Sequence, residues 1–322
     1  MSKDNLVSLE RVDIKYFGCY KTQLYHYIRH VGLPIDLLLY NVYESTDNIL
    51  SHILHGKKPS WSYRTACLEE ADLSLIGVRI ENVSCSNYLD GLTVIQNEID
   101  QGKVVSMHCD AFFLPHRPWD FEKNHLFHFI LVTGYESFHT DIHRLYVMDD
   151  MYPGFSHYAY ETSVFKDAFE HGRKELRLFH WDKQPPENLN TCIQGKFSEF
   201  FSSFSDTLKF YDIANQVIKD KVFLEDSSLI YYLEQSVHII SGSRYLFAHF
   251  LKKLDEPRYA SVIAQLLACS GLLDKLKVMV LLIQNRKEQG KQDIDITDLC
   301  RKLFELEAGI QQQLRICSRI TR

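Results

Sequence analysis

The sequence predicts an α+β domain followed by an all-helical one, and three observations carry that reading. Up to about residue 183, helical three-and-four spacing of apolar residues alternates with short β-branched and aromatic runs. The polar, proline-containing stretch Lys183-Gln184-Pro185-Pro186-Glu187-Asn188-Leu189-Asn190 then interrupts the pattern. Beyond it, every long segment has helical spacing. A chain of 322 residues with 45% hydrophobic content can fill two cores. The expected division is 1–183 for the mixed domain, 184–195 for a linker and 196–322 for the helical domain.

The elements follow in order. Tyr20, Leu24, Tyr27, Ile28 and Val31 mark a helix with one apolar face, stopped by Gly32-Leu33-Pro34. Ile35 to Tyr43 reads as a helical continuation. Leu92, Ile95 and Ile99 form a stripe that ends at Gly102, and Val104 to His108 reads as a strand. Pro115 to Asn124 is a loop, by its prolines and charges. Phe127 to Tyr135 and Arg144 to Met148 form a hairpin around a polar connection. A short helix from Val164 to Glu170 and a strand from Glu175 to Trp181 complete the first domain. In the second, helices are expected over Phe197–Lys219, Leu229–Leu254, Tyr259–Asn285 and Ile294–Arg319. There are no internal repeats or low-complexity tracts.

Three residues in this frame suggest chemistry. Cys19 sits in Phe17-Gly18-Cys19-Tyr20, directly ahead of the first helix. A thiol there faces the positive end of the helix dipole and unpaired backbone N–H groups, which favour thiolate and can cradle an oxyanion. Gly18 leaves room for a carbonyl to approach. A lone cysteine is more often a buried structural residue, so the reading depends on its partners. His128 opens one hairpin strand, and a turn centred near His139 sets it almost opposite Asp149 or Asp150. A carboxylate there would orient the imidazole and stabilise its protonated form. Periodicity does not choose between the two aspartates, because one extra turn residue switches the register.

Other candidates are weaker. Asp110, at the end of a strand, suits either a substrate amine or a cap on the following loop. Trp119 is placed at a pocket mouth or simply packed on the domain. Arg244 suits a carboxylate or phosphate, against the plainer reading of a solvated helix charge. His108, Cys109, Asp110, His116, His125 and His128 are dense, but no spacing matches a zinc signature, so no metal is expected. The remaining cysteines read as structural.

Composition narrows the class. A net charge of -6 argues against nucleic acid or an anionic membrane as the main partner. Eight scattered cysteines form neither a disulfide framework nor a CxxC site, which points to a reducing cytoplasm. The segment Met1-Ser2-Lys3-Asp4-Asn5-Leu6-Val7 lacks the apolar core of a signal peptide, and runs such as Val278 to Ile283 are too short to span a bilayer.

The set Gly18-Cys19-Tyr20, Gly32, Gly102-Lys103-Val104-Val105, Asp110 to Pro115, His128 to Tyr135 and Val147-Met148-Asp149 resembles the N-terminal domain of the butirosin-biosynthesis protein H family. The resemblance covers about residues 10 to 180. It implies a papain-like cysteine peptidase fold, a central helix packed on an antiparallel sheet, turned to acyl transfer. On that pattern Cys19 is the nucleophile, His128 the base and Asp149, rather than Asp150, the orienting carboxylate. One departure stands out: papain-like peptidases place a Gln shortly before the nucleophile, and Arg11-Val12-Asp13-Ile14-Lys15 contains none.

The resemblance implies an acyl or aminoacyl group moved through a Cys19 acyl-enzyme to a small amine acceptor. The donor is a phosphopantetheine thioester on an acyl carrier protein or peptide-synthetase carrier domain, or coenzyme A. No bound cofactor is expected. A peptidase or thioesterase of the same fold, with water as acceptor, is the first rival. A non-catalytic binding module is the second, and a titration of the thiol separates it.

Overall fold

The structure, a computed structural model, describes residues 2–9, 17–138, 141–151, 154–181, 186–287 and 294–319. Contacts divide them into two units. The first takes residues 2–9, 17–35 and the described residues from 70 to 186; the second takes 36–69 and those from 187 onward. One change of unit falls near 186, and residues 36–69 group with the helices that follow it.

In chain order, β1 (Ser2–Leu6) precedes α1 (Cys19–His30). Gly32, at φ 81°, ends that helix as its place after the apolar stripe predicts. The 3-10 segment Ile35–Asn41 carries the chain across into the second unit at Asp36, the one-turn helix α2 (Thr46–Ile49) follows there, and the chain returns at α3 (Glu70–Leu73). There follow β2 (Val78–Ser84), α4 (Tyr88–Asp100), β3 (Val105–Asp110), β4 (Phe127–Phe138), β5 (Asp141–Met151), β6 (Gly154–Glu161), α5 (Thr162–Glu170) and β7 (Glu175–Trp181).

The seven strands form one antiparallel sheet in the order β2-β7-β3-β4-β5-β6, with β1 pairing along β4. Alternation sends Val105, Met107, Cys109, Ile130 and Val132 to one face, where they pack with Ile95 and Ile99 of α4 and Phe165 and Phe169 of α5. Ser106, Phe129 and Phe179 point the other way and meet α1 through Gln23, Tyr20 and Tyr27. An α+β architecture thus holds, with helices on both faces of the sheet. The turn centre expected near His139 lies outside the described residues.

The second unit contains α6 (Leu189–Ser203), α7 (Lys209–Lys219), α8 (Ser228–Leu254), α9 (Ala260–Lys287) and α10 (Thr297–Arg319). Two expectations are corrected here. The first helix starts at Leu189, inside the expected linker, and Phe197–Lys219 is not one helix. Residues 204–208 break it because they are held by distant partners. Asp206 accepts from the Thr46 N–H and hydroxyl, both at 2.7 Å, and Asp47 accepts from the Thr207 N–H and hydroxyl at 2.7 and 2.8 Å. This reciprocal clasp ties residues 46–47 into the unit. Tyr43, Phe197, Phe201 and Phe247 form its aromatic centre, Tyr43 and Phe247 with ring centroids 5.3 Å apart.

Candidate active site

The site is built where α1 begins and β4 and β5 run side by side. Gly18 precedes α1 in an extended conformation and offers no side-chain cap, and the first turn contains no acidic residue. The N–H groups of that turn have no intrahelical partner, as at any helix start. A Cβ built on Gly18 would meet nothing within 4 Å among the described residues. Cys19 is the first helical residue and half-buried.

His128 and Asp149 are brought together on neighbouring strands. Leu131 pairs with Met148 and Val132 with Val147, with a bulge between Val132 and Gly134. Continuing that register sets Asp149 level with Ile130, so alternation gives it the face of His128. The two are diagonal neighbours rather than directly opposed. His128 Nε2 lies 2.6 Å from Asp149 Oδ1. The Asp150 side chain falls outside the described positions. The Cys19 sulfur is close enough to the His128 ring to act on its charge.

Burial works to lower the pKa of His128, but the Asp149 carboxylate and the Cys19 sulfur outweigh it and hold the imidazole well above its ordinary value. Burial likewise works to raise Asp149. The His128 charge, hydrogen bonds from His116 and His128, and the Arg117 guanidinium prevail and keep the carboxyl well below the usual range. Next to them, burial and the Asp149 charge push the Cys109 thiol far up, which leaves it an inert wall residue.

Asp149 has two further partners that the sequence reading missed. His116 Nε2 lies 2.9 Å from Oδ2, and Arg117 Nη1 donates to the same oxygen at 3.0 Å. The His116 ring stacks on Tyr158 of β6 with centroids 4.2 Å apart, and its Nδ1 is buried without a hydrogen-bond partner among the described residues. The sequence placed both residues in a charged loop; their aim is a tertiary fact. Gln23 was also missed. One turn after Cys19, its amide donates to the Phe129 carbonyl and accepts from Ser106 Oγ at 3.0 Å, fastening α1 to the residue beside His128.

His108 stands on the α1 face of β3 with its ring 4.8 Å from that of Phe129. Burial, then the charge of Arg173, lowers its pKa to about 4, so the ring is neutral. Its Nδ1 accepts from the Arg173 N–H at 3.0 Å. Gly172 makes that approach feasible, since a Cβ there would come within 2.9 Å of the His108 carbonyl oxygen.

The other expected site residues take different roles. Asp110 is a cap: its buried carboxylate accepts from Phe112 N–H at 3.0 Å and Leu126 N–H at 3.3 Å, and contacts His125 Nδ1 at 2.6 Å. Both oxygens are thereby engaged by the loop's own donors. Trp119 is 63% exposed two residues past Arg117 and makes no ring contact among the described residues. Arg244 is neither a ligand-holding group nor a solvated helix charge. It is fully buried in the second unit, where Nε donates to Glu307 Oε1 at 2.8 Å and Nη1 to the Glu44 carbonyl at 2.7 Å. Among the described residues, no three His, Cys, Asp or Glu side chains converge as a metal site.

A thiol at a helix start, beside an imidazole held by a buried carboxylate, is the constellation of a cysteine nucleophile. No protein-family model matches the chain. The chain is 28% identical over 249 residues to the ribostamycin:4-(γ-L-glutamylamino)-(S)-2-hydroxybutanoyl-[BtrI acyl-carrier protein] 4-(γ-L-glutamylamino)-(S)-2-hydroxybutanoate transferase of Niallia circulans. The likeness spans 77% of this chain and 80% of that protein. It bears out the resemblance to the butirosin-biosynthesis protein H family.

Proposed function

We propose that this protein is a cysteine-dependent acyltransferase of natural-product biosynthesis, which moves an acyl or aminoacyl group from a carrier-protein thioester to an amine. The observation that carries this is the 249-residue likeness to a carrier-protein acyltransferase, in a chain whose Cys19 lies beside the His128–Asp149 pair. The α1-on-antiparallel-sheet arrangement supports a papain-like reading of the fold. Among the described residues no helix is long and apolar enough to cross a membrane. All eight cysteines are free, which fits a reducing cytoplasm.

In this reading the Cys19 thiolate attacks the thioester carbonyl and forms a new C–S bond. The bond to the phosphopantetheine sulfur breaks, and that thiolate leaves with the proton of His128. Helix-start N–H groups face the developing oxyanion. The acceptor amine then attacks the acyl-Cys19, its proton passes to His128, and the Cys19 thiolate departs. Asp149 orients the ring throughout. Thioester exchange is close to thermoneutral, so positioning and exclusion of water carry most of the catalysis.

Intact-protein mass spectrometry tests this. Wild type incubated with an acyl thioester of a carrier protein or coenzyme A gains the acyl mass on Cys19, and Cys19→Ala folds but gains none. Added amine releases the group faster than water does. Release by water alone would make the protein a hydrolase, and labelling away from Cys19, or none, would sink the mechanism.

A further inference from the structure

The loop between β3 and β4 sends one charged side chain into the centre of the His128–Asp149 pair. Arg117 Nη1 is 3.0 Å from Asp149 Oδ2 and also 3.0 Å from His128 Nε2. The second approach is not a hydrogen bond while Nε2 carries its proton. That proton is directed at Asp149 Oδ1, 2.6 Å away, and two donors cannot bond each other. Two cations therefore share one buried carboxylate, with the guanidinium packed against the edge of the imidazole.

Arg117 is itself fixed. Its Nε donates to Asp120 at 3.3 Å, the Asp120 N–H returns to the Arg117 carbonyl at 2.9 Å, and the Arg117 side chain is 15% exposed. His116 closes the other side of the carboxylate from its stack on Tyr158.

We propose that Arg117 is a positioning residue with two functions: it holds Asp149 against His128, and its charge beside the ring keeps the imidazolium ready to release its proton. The inference rests on the acyl-transfer reading. There His128 must give a proton to the leaving thiolate and take one from the amine, which works best when neither form of the ring is too stable. Asp149 and the Cys19 sulfur both favour the imidazolium. Other groups near the ring are Cys109, paired opposite it on β3, His108, and His116 through Asp149. Arg117 is a cation in direct contact with the ring.

The test follows the His128 ring through a pH titration by NMR, in full-length protein carrying 13C at histidine Cε1. Its signal is identified by its absence from His128→Gln. In Arg117→Gln the His128 midpoint moves to higher pH than in wild type, because a like charge has been removed from beside the ring. Arg117→Lys keeps the charge and stays nearer wild type. A purely structural Arg117 would lower stability and leave the midpoint in place. A midpoint that is unchanged or lower in Arg117→Gln overturns the proposal. If that variant does not fold, Arg117→Met, which also removes the charge, carries the same comparison, and a midpoint unchanged or lower there overturns the proposal. The titration needs no substrate, so it stands apart from any failure of Cys19 to accept an acyl group.

Discussion

His128 Nε2 stands 2.6 Å from Asp149 Oδ1, and that oxygen belongs to a carboxylate with no exposed surface. A buried anion with an imidazole on one oxygen and a guanidinium and a second imidazole on the other is held in one orientation. The imidazole it orients faces Cys19.

Replacing Asp149 by Asn therefore does more than loosen a ring. It removes the counter-charge and leaves Arg117 uncompensated beside His128, which disfavours the imidazolium. Cys19 acylation, followed by mass spectrometry, is expected to slow by about tenfold or more. His128→Ala, which removes the proposed proton carrier itself, is expected to cost at least ~100-fold. An Asp149→Asn enzyme with wild-type acylation rates would remove Asp149 from the mechanism.

Gln23 sets the distance between the helix that carries Cys19 and the strand that carries His128. Gln23→Leu leaves the Phe129 carbonyl and the Ser106 hydroxyl without their partner inside the unit. Two unsatisfied buried groups cost on the order of 1–3 kcal/mol each. Urea unfolding should show a loss in that range, with slower Cys19 acylation at temperatures where the variant remains folded.

His108 gives the fold an acid sensitivity. Its folded pKa, about 4, lies below the ordinary value, so the unfolded chain binds the proton more readily. The stabilising contribution is complete above about pH 6.5 and is lost as pH falls toward 4. Between pH 7.5 and 5 this amounts to about 2 kcal/mol. His108→Phe should lose less stability across that interval than wild type; parallel urea midpoints for the two proteins would refute the assignment.

Arg244 and Glu307 form the buried ion pair of the helical unit, with Tyr43 and Tyr211 donating to the same carboxylate. Arg244→Met leaves Glu307 charged and partly unpaired and should cost about 3–5 kcal/mol. The double variant Arg244→Met, Glu307→Leu should recover part of that loss, since removal of both charges ends the mismatch. Thermal unfolding of the three proteins checks the order.

Much of this was legible in the sequence. Tyr20 to Val31 announces α1, Gly32 its end, and the two apolar runs around residue 139 the hairpin that carries His128 and Asp149. The choice of Asp149 was not, because it depends on the register of a turn that local propensity does not fix. Strand β2 was overlooked although Val78-Arg79-Ile80-Glu81 alternates, since seven residues beside a short helix give little signal. The break at 204–208 was invisible for another reason. Its cause, the clasp of Asp206 on Thr46, lies 160 positions away. Arg117 is a further such case, one charge among several in a loop until β5 is placed beside it.

That clasp also predicts the outcome of truncation. A chain ending at Pro186 keeps residues 36–69 but loses Asp206, Thr207, Ser243 and Glu307, their partners. Limited proteolysis of such a fragment should cut first between 36 and 69, and its solubility should fall as apolar side chains there are uncovered. A fragment that resists cutting in this interval would show that the segment folds without the helices.

On the ribosome the same connectivity becomes a matter of timing. Thr46 and Asp47 are made early, yet Asp206 and Thr207 follow 160 residues later. At ordinary rates of synthesis that interval is roughly 8 to 30 s. For all of it the nascent chain carries Leu50, Ile53 and Leu54, buried in the finished protein, with the helices that cover them still unmade. Chaperone demand should therefore peak in mid-synthesis, and synonymous codon changes that slow translation between residues 70 and 200 should lower the yield of folded protein without altering a single side chain.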